Sequence, residues 1–572
     1  MNRATRLLKR MGAGVALGAM VLPIALLIPS ALLDRGPSGG VRASLFPAAL
    51  TLWDPYAWAC VRNSALLATV VTAGSLMIGS TLARAVGPRR FWGRGPLCAL
   101  AWASLAVAPG FGAIGLAGLV PPEGAGHRLA LVSGWTLILG VPWDVWISWT
   151  LLAWANLATS VPLVALGIVS AIGRVDPAWL DAGRSLGASR RRSWRELAWP
   201  IVRPEAARSL AAVFAFSFLE PGGPLALGLR RTLPSALIEA ALRGDDRARA
   251  ATLGLLGLGF ALLGRGLIRW WGGPRAGDDR RDSGPATRLD DRAGTLRGLA
   301  SVTGLLAWSA IGLAPLGGLV ALVFGVGAGG GWGASVVAMV ASVREWLDPD
   351  IGRAWINSLM VGLAATGLDL AILGLLAPRS EGQARSKVRP SIAILALERL
   401  PAPVIGVAVL LAPWTLAASG EALGFAGGSG LPKLLDPIRW PGALLILAAS
   451  ASRLPTLARA ADRARARSRP DLADAALVLG SSPGRAIRLA GGRRPGKGAI
   501  LLTATLAATS VAPAVLLSPT SRTRPVGPVA IRLAPEPGRA AGLGLGASVL
   551  TLIALASTRR GRSGPLGEWY RG

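Results

Sequence analysis

A chain of 572 residues that is 52% hydrophobic and only 16% charged, with mean hydropathy +0.50, falls outside the composition of soluble domains. Its net charge of +31 comes from arginines set between apolar runs, not gathered on one face with interleaved aromatics. That pattern orients a chain in a membrane and excludes nucleic-acid recognition as the reading.

The N-terminus carries Arg3, Arg6, Lys9 and Arg10 before an apolar run from Met11 to Leu33. That run exceeds the apolar core of a cleaved signal peptide, so a retained first span with its N-terminus inside is expected. Later apolar runs of about eighteen or more residues are each long enough to cross a bilayer as a helix. They place spans near 61–86, 95–120, 146–171, 206–229 and 250–271. A stretch mixing Asp, Arg, Gly and Pro, 272–297, reads as a solvated cytoplasmic linker. A second set follows near 298–325, 355–377, 390–414, 438–457, 499–519 and 540–558, with 559–572 as a tail. The connections 1–10, 87–94, 172–205, 272–297, 378–389, 458–498 and 559–572 are rich in Arg and Lys, which puts both termini on the cytoplasmic face. The exception is 230–249, an expected outside loop holding Arg230, Arg231, Arg243, Arg247 and Arg249. The expected fold is all-α, a polytopic membrane protein of about twelve transmembrane helices in two tandem halves, 1–271 and 298–558. Cys60 and Cys98 cannot build a disulfide framework, and the single histidine, His127, without a cysteine cluster argues against a conventional transition-metal site.

The two sets repeat each other. Asn63-Ser64 opens the second span, and Asn357-Ser358 opens the eighth, 294 residues later (63 to 357). Asp181, Ala182, Leu186, Gly187 and Ser189 recur as Asp474, Ala475, Leu479, Gly480 and Ser482, 293 residues later (181 to 474), and Pro177 recurs as Pro470. An even number of spans in each half makes this a direct repeat about an axis along the membrane normal.

Between the fourth and fifth spans lies a short arginine-rich segment, 176–200. Asp176-Pro177 is an N-cap acceptor followed by a proline at the first helical position. Gly187 supplies a left-handed helix end, Ser189 a second N-cap, and Pro200 is expected to break the second helix. The spacing of Asp181-Ala182-Gly183, Gly187 and Leu197-Ala198-Trp199-Pro200 resembles the cytoplasmic coupling loop of ABC-importer permeases, Glu-Ala-Ala-x3-Gly-x9-Ile-x-Leu-Pro. The later loop, 469–495, keeps Asp474, Ala475, Ala476 and Gly480 but has Ala490-Gly491-Gly492-Arg493 where that motif closes. As two fused permease halves, the chain is similar to ferric-iron and thiamine importers. The resemblance implies a bacterial inner-membrane protein whose two loops seat in two copies of a cytoplasmic ABC ATPase. It also implies a periplasmic solute-binding protein and a small solute crossing between the halves, with iron(III) the first cargo. ATP hydrolysis would then belong to the partner, so this chain is not expected to be an enzyme or to hold a cofactor. The run Gly491–Gly498 ends in Gly where a Walker A loop needs Ser or Thr for Mg²⁺, and no strand precedes it.

Charges inside expected spans are rare and face a partner or a cavity. Asp369 and Arg399 lie eight to nine residues from the inner ends of their spans, at similar depth, and an Asp369–Arg399 ion pair is expected, structural or gating. Glu220-Pro221-Gly222-Gly223-Pro224 interrupts the fifth span, and broken helices in transporters expose backbone groups to a central cavity. The stretch Phe214–Pro224 resembles the break in ferric-type permeases and makes Glu220 a candidate on the substrate pathway, the plain alternative being a helix end at the outer surface. Two rival readings stand beside the importer: an ion-driven secondary transporter of twelve spans, and a non-transporting scaffold descended from a permease.

Overall fold

The computed structural model describes residues 3–35, 41–86, 94–120, 137–138, 141–243, 247–273, 295–324, 348–376, 392–422, 441–466, 478, 497–518, 523–534 and 536–560. Over these residues the chain is helical apart from two antiparallel ribbons, β1 (Leu33–Arg35) with β2 (Val41–Ala43), and β3 (Leu137–Ile138) with β4 (Val141–Pro142). Among the described residues nine helices are long and apolar enough to cross a membrane, and one bent pair makes up to ten. The protein is a helical, multi-pass membrane protein.

The first span is α1 (Arg3–Ala25) with α2 (Leu27–Leu32), and a short helix α3 (Phe46–Trp53) leads to α4 (Pro55–Val86). The last of these begins before the expected 61, because Asp54 caps it, its Oδ1 accepting the Tyr56 N–H at 2.8 Å. The third span, expected as one helix, is instead α5 (Arg94–Ala103) and α6 (Pro109–Leu119), bent by 99° where Pro109 starts a new helix. Then come α7 (Trp143–Ile172), α8 (Pro177–Ser185), α9 (Arg190–Ser193), α10 (Trp199–Leu219), α11 (Gly222–Ala226), α12 (Leu233–Arg243) and α13 (Arg247–Gly272). The stretch expected as an outside loop, 230–249, is therefore mostly helix. Leu233, Ala236, Leu237, Ala240 and Ala241 recur at helical spacing and bury α12 in the core.

The second set comprises α14 (Thr295–Val323), α15 (Pro349–Leu376), α16 (Ile392–Arg399), α17 (Ala402–Ala422), α18 (Pro441–Ala466), α19 (Lys497–Ala508), α20 (Ala512–Leu517), α21 (Val526–Arg532) and α22 (Pro537–Arg560). The ninth expected span is split, since Pro401 separates α16 from α17. The eleventh is broken between α19 and α20 as the fifth is between α10 and α11.

Matching side-chain bonds recur in both sets. Buried Ser64 accepts the Leu233 N–H at 2.9 Å, and buried Ser358 accepts the Val526 N–H at 2.8 Å. The adjacent Asn63 and Asn357 donate to the carbonyls of Arg231 and Arg524 at 3.0 Å and 3.3 Å. At the foot of α4, Asp54 pairs with Arg249 at 2.8 Å, and at the foot of α15, Asp348 pairs with Arg539 at 3.2 Å. The Asn-Ser dipeptides are thus two copies of one device, tying a long helix to the start of α12 in the first set and of α21 in the second. Asp54-Pro55 and Asp348-Pro349 carry the same 294-residue offset (54 to 348), a signal the sequence reading passed over.

The two sets interlock. Helix α14 packs on α5 and α6 of the first set, and α1 packs on α15, α16 and α17 of the second. Lipid tails are as apolar as leucine, so close backbone approach through small residues holds such crossings together. Gly115 and Gly318 supply it: a Cβ on Gly115 would run into the Pro315 carbonyl, and one on Gly318 into the Gly115 carbonyl. The most enclosed spans are α7, α10 and α17, with 72%, 67% and 67% of their apolar windows buried, whereas the first span, α4, α13 and α15, each at 33%, present the most outer surface.

Ser64→Ala and Ser358→Ala each leave a buried amide without an acceptor. Each is expected to cost about 1–3 kcal/mol, nearly additively in the double variant, in thermal unfolding of the purified protein.

Candidate functional site

The segment 176–200 forms the elbow its residues call for. Asp176 opens α8, its Oδ1 accepting the Ala178 N–H at 2.9 Å. The helix closes with Gly187 at φ +83°, its N–H donating to the Arg184 carbonyl at 2.9 Å while the Ala188 N–H donates to that of Gly183 at 3.0 Å. Those two bonds are the Schellman closure, which needs a residue free to adopt the left-handed region. Ser189 starts the second arm, its Oγ accepting the Arg192 N–H at 3.3 Å. At the crossing of the arms, a Cβ on Gly183 would stand 3.1 Å from the Ser193 hydroxyl and 3.2 Å from the Leu197 side chain, so glycine lets them touch.

Pro200, contrary to expectation, does not break the second arm. A π-helical stretch, Trp194–Ala198, carries α9 directly into α10, with Pro200 in the first turn of the latter. The wider turn absorbs the register where proline has no N–H to offer. The second arm is consequently continuous with the fifth span. Asp181 and Ala182 lie on the exposed outer side of the elbow, and Leu186 at its tip is 88% exposed. Behind it Glu205 binds Arg174 at 2.7 Å and Arg208 at 2.9 Å, fastening the end of α7 to α10. The sequence reading missed Glu205; its signal is a lone acid between Arg203 and Arg208.

Following α10 to its other end leads to the break. Glu220 is buried, and its two carboxylate oxygens accept the N–H groups of Gly222 at 2.8 Å and Gly223 at 2.9 Å. It caps α11, supplying acceptors where water is scarce. Helix α11 rests on α6 and touches α21, and α12 touches α17 and α20, so the break lies where the two sets meet. In the second set Ser510 occupies the corresponding place before α20, so the acid cap is present on one side alone.

The expected Asp369–Arg399 pair does not form. Asp369 is fully buried, accepts a hydrogen bond from the Ser450 hydroxyl, and lies within electrostatic reach of Arg453. Arg399 is exposed at the end of α16, because the Pro401 break turns a mid-span position into a helix terminus. The repeat offsets place Ser75 and Ser160 in the first set where Asp369 and Arg453 stand in the second, so these two charges belong to one set only. Asp474, Ala475, Ala476 and Gly480 of the second loop lie outside the described residues. Cys60 and Cys98 are both buried free thiols.

No family model matches this chain, and no curated protein matches it.

Two outcomes are expected. Gly187→Ala forces a side chain into the left-handed region at about 1–2 kcal/mol and accelerates trypsin cleavage at Arg191 and Arg192. Asp369→Leu takes the acceptor from the buried Ser450 hydroxyl and is expected to cost about 1–3 kcal/mol in thermal unfolding, and adding Ser450→Ala restores most of that stability.

Proposed function

We propose that this chain is the permease of a binding-protein-dependent ABC importer. It moves a small solute across the inner membrane between its two sets of helices, driven by two copies of a separate cytoplasmic ATPase and supplied by a periplasmic binding protein. The observation that carries this reading is the elbow, a doubly capped, glycine-crossed helix pair with an exposed apolar tip, whose second arm runs unbroken into the fifth span. In this mechanism ATPase closure pushes on α8. The Schellman turn and the Gly183 crossing keep the arms moving as one body. Glu205 fastens that body to α7, and α10 delivers the displacement to the Glu220 break at the seam between the sets. Twelve spans, cytoplasmic termini and the linker 272–297 complete the arrangement, and the second loop, 469–495, seats the second ATPase.

Iron(III) is the first cargo assignment, supported by the fused halves and the acidic break. Glu220 shapes that break through its amide contacts, and a cargo bound there would compete with the cap. A second reading, an ion-driven secondary transporter, draws on Asp369, a buried carboxylate inside a span.

Reconstitution with a cytoplasmic ABC ATPase and a periplasmic binding protein that co-purify with it separates the two readings. ATP-dependent uptake is expected, insensitive to a protonophore, and lost on Leu186→Asp while the protein still folds. Uptake that persists without ATP, or with the elbow deleted, overturns the importer reading.

A further inference from the structure

At the seam between the sets, the described residues gather four arginines around a single glutamate. Arg265 Nη1 donates to the Glu398 and Arg399 carbonyls at 3.5 Å and 3.4 Å, closing the C-terminal end of α16. The charges of Arg269, Arg399 and Arg459 all act on Arg265. Glu398 offsets one of them through its pair with Arg459 at 3.4 Å. Arg265 and Arg269 come from α13 of the first set, whereas Arg399 and Arg459 come from α16 and α18 of the second.

The surroundings are those of a bilayer edge. Leu262 is 39% exposed and precedes Arg265 by three residues and Arg269 by seven, so it shares their face of α13. Leu263 and Leu267 are also exposed on this lipid-facing helix, and Trp270, 82% exposed, sits one residue past Arg269, where an aromatic belt lies at headgroup depth. Excess cation beside hydrocarbon is costly unless an anion meets it. A soluble anion would have no use for the exposed leucines above the arginines, whereas a lipid matches both parts of the surface.

We propose that Arg265, Arg269 and Arg399, backed by Arg459, bind the phosphate headgroup of an anionic phospholipid whose acyl chains lie along the exposed leucines of α13. Bound there, the lipid bridges the two sets of helices. The inference is independent of the importer reading, since it needs only a membrane and this cluster.

The test uses the full chain in nanodiscs of phosphatidylcholine, alone or with phosphatidylglycerol, with thermal unfolding and native mass spectrometry of retained lipid. The wild type is expected to unfold at higher temperature with phosphatidylglycerol and to retain it over phosphatidylcholine. Arg265→Gln with Arg269→Gln is expected to weaken that preference about tenfold, while Arg265→Lys with Arg269→Lys keeps most of it. Should the glutamine pair fail to fold, Arg399→Gln, at an exposed helix end, is expected to reduce the preference on its own. Equal retention of both lipids by the wild type, or an undiminished preference in these charge-removing variants, overturns the proposal. Inorganic phosphate or glycerol 3-phosphate giving the full stabilisation in phosphatidylcholine alone overturns the lipid as the source of the phosphate.

Discussion

A backbone N–H released by a break in a membrane helix must find an acceptor within the protein, because hydrocarbon provides none. The interior of this molecule is arranged around that constraint. The second helix beyond each break, α12 or α21, begins with an amide accepted by a serine hydroxyl from a distant long helix, Ser64 for Leu233 and Ser358 for Val526. In the first set Glu220 takes two further amides at the break itself. Both breaks lie where the two sets of helices touch.

The elbow obeys the same rule at the membrane surface. Its caps are all local: Asp176, Gly187 and Ser189 each act within a few residues of their own position. The long-range element is its continuity with α10, made by a π-helical stretch in place of a proline kink. A surface hairpin joined flexibly to a span would dissipate a push, whereas the second arm of this one is continuous with the helix that ends at Glu220. That continuity supports the proposed lever more strongly than the elbow's shape alone.

Buried charge distinguishes the two sets. Asp369 and Arg453 stand where the first set has Ser75 and Ser160, while Glu220 stands where the second has Ser510. The repeat therefore preserves the asparagine and serine bonds to distant helix starts and varies the buried charges. Burying a carboxylate without donors is costly; Glu220 accepts two amides, and Asp369 accepts the Ser450 hydroxyl through one of its oxygens.

Composition, run length and arginine placement by themselves determined a helical multi-pass protein with an internal repeat. They also determined the elbow's caps, since these depend on neighbours in the chain. The tertiary structure alone decided which charges meet. The Asp369–Arg399 expectation assumed an unbroken ninth helix, and the partner of Asp369 follows from how α15 packs on α18, which no spacing encodes. It also decided that Asn63-Ser64 and Asn357-Ser358 are caps for helices far along the chain, and that 230–249 enters the core as a helix. Local periodicity and capping act over a turn or two, so sequence carries them. Partners of buried polar groups are chosen by the approach of distant helices, and only the folded chain brings those together.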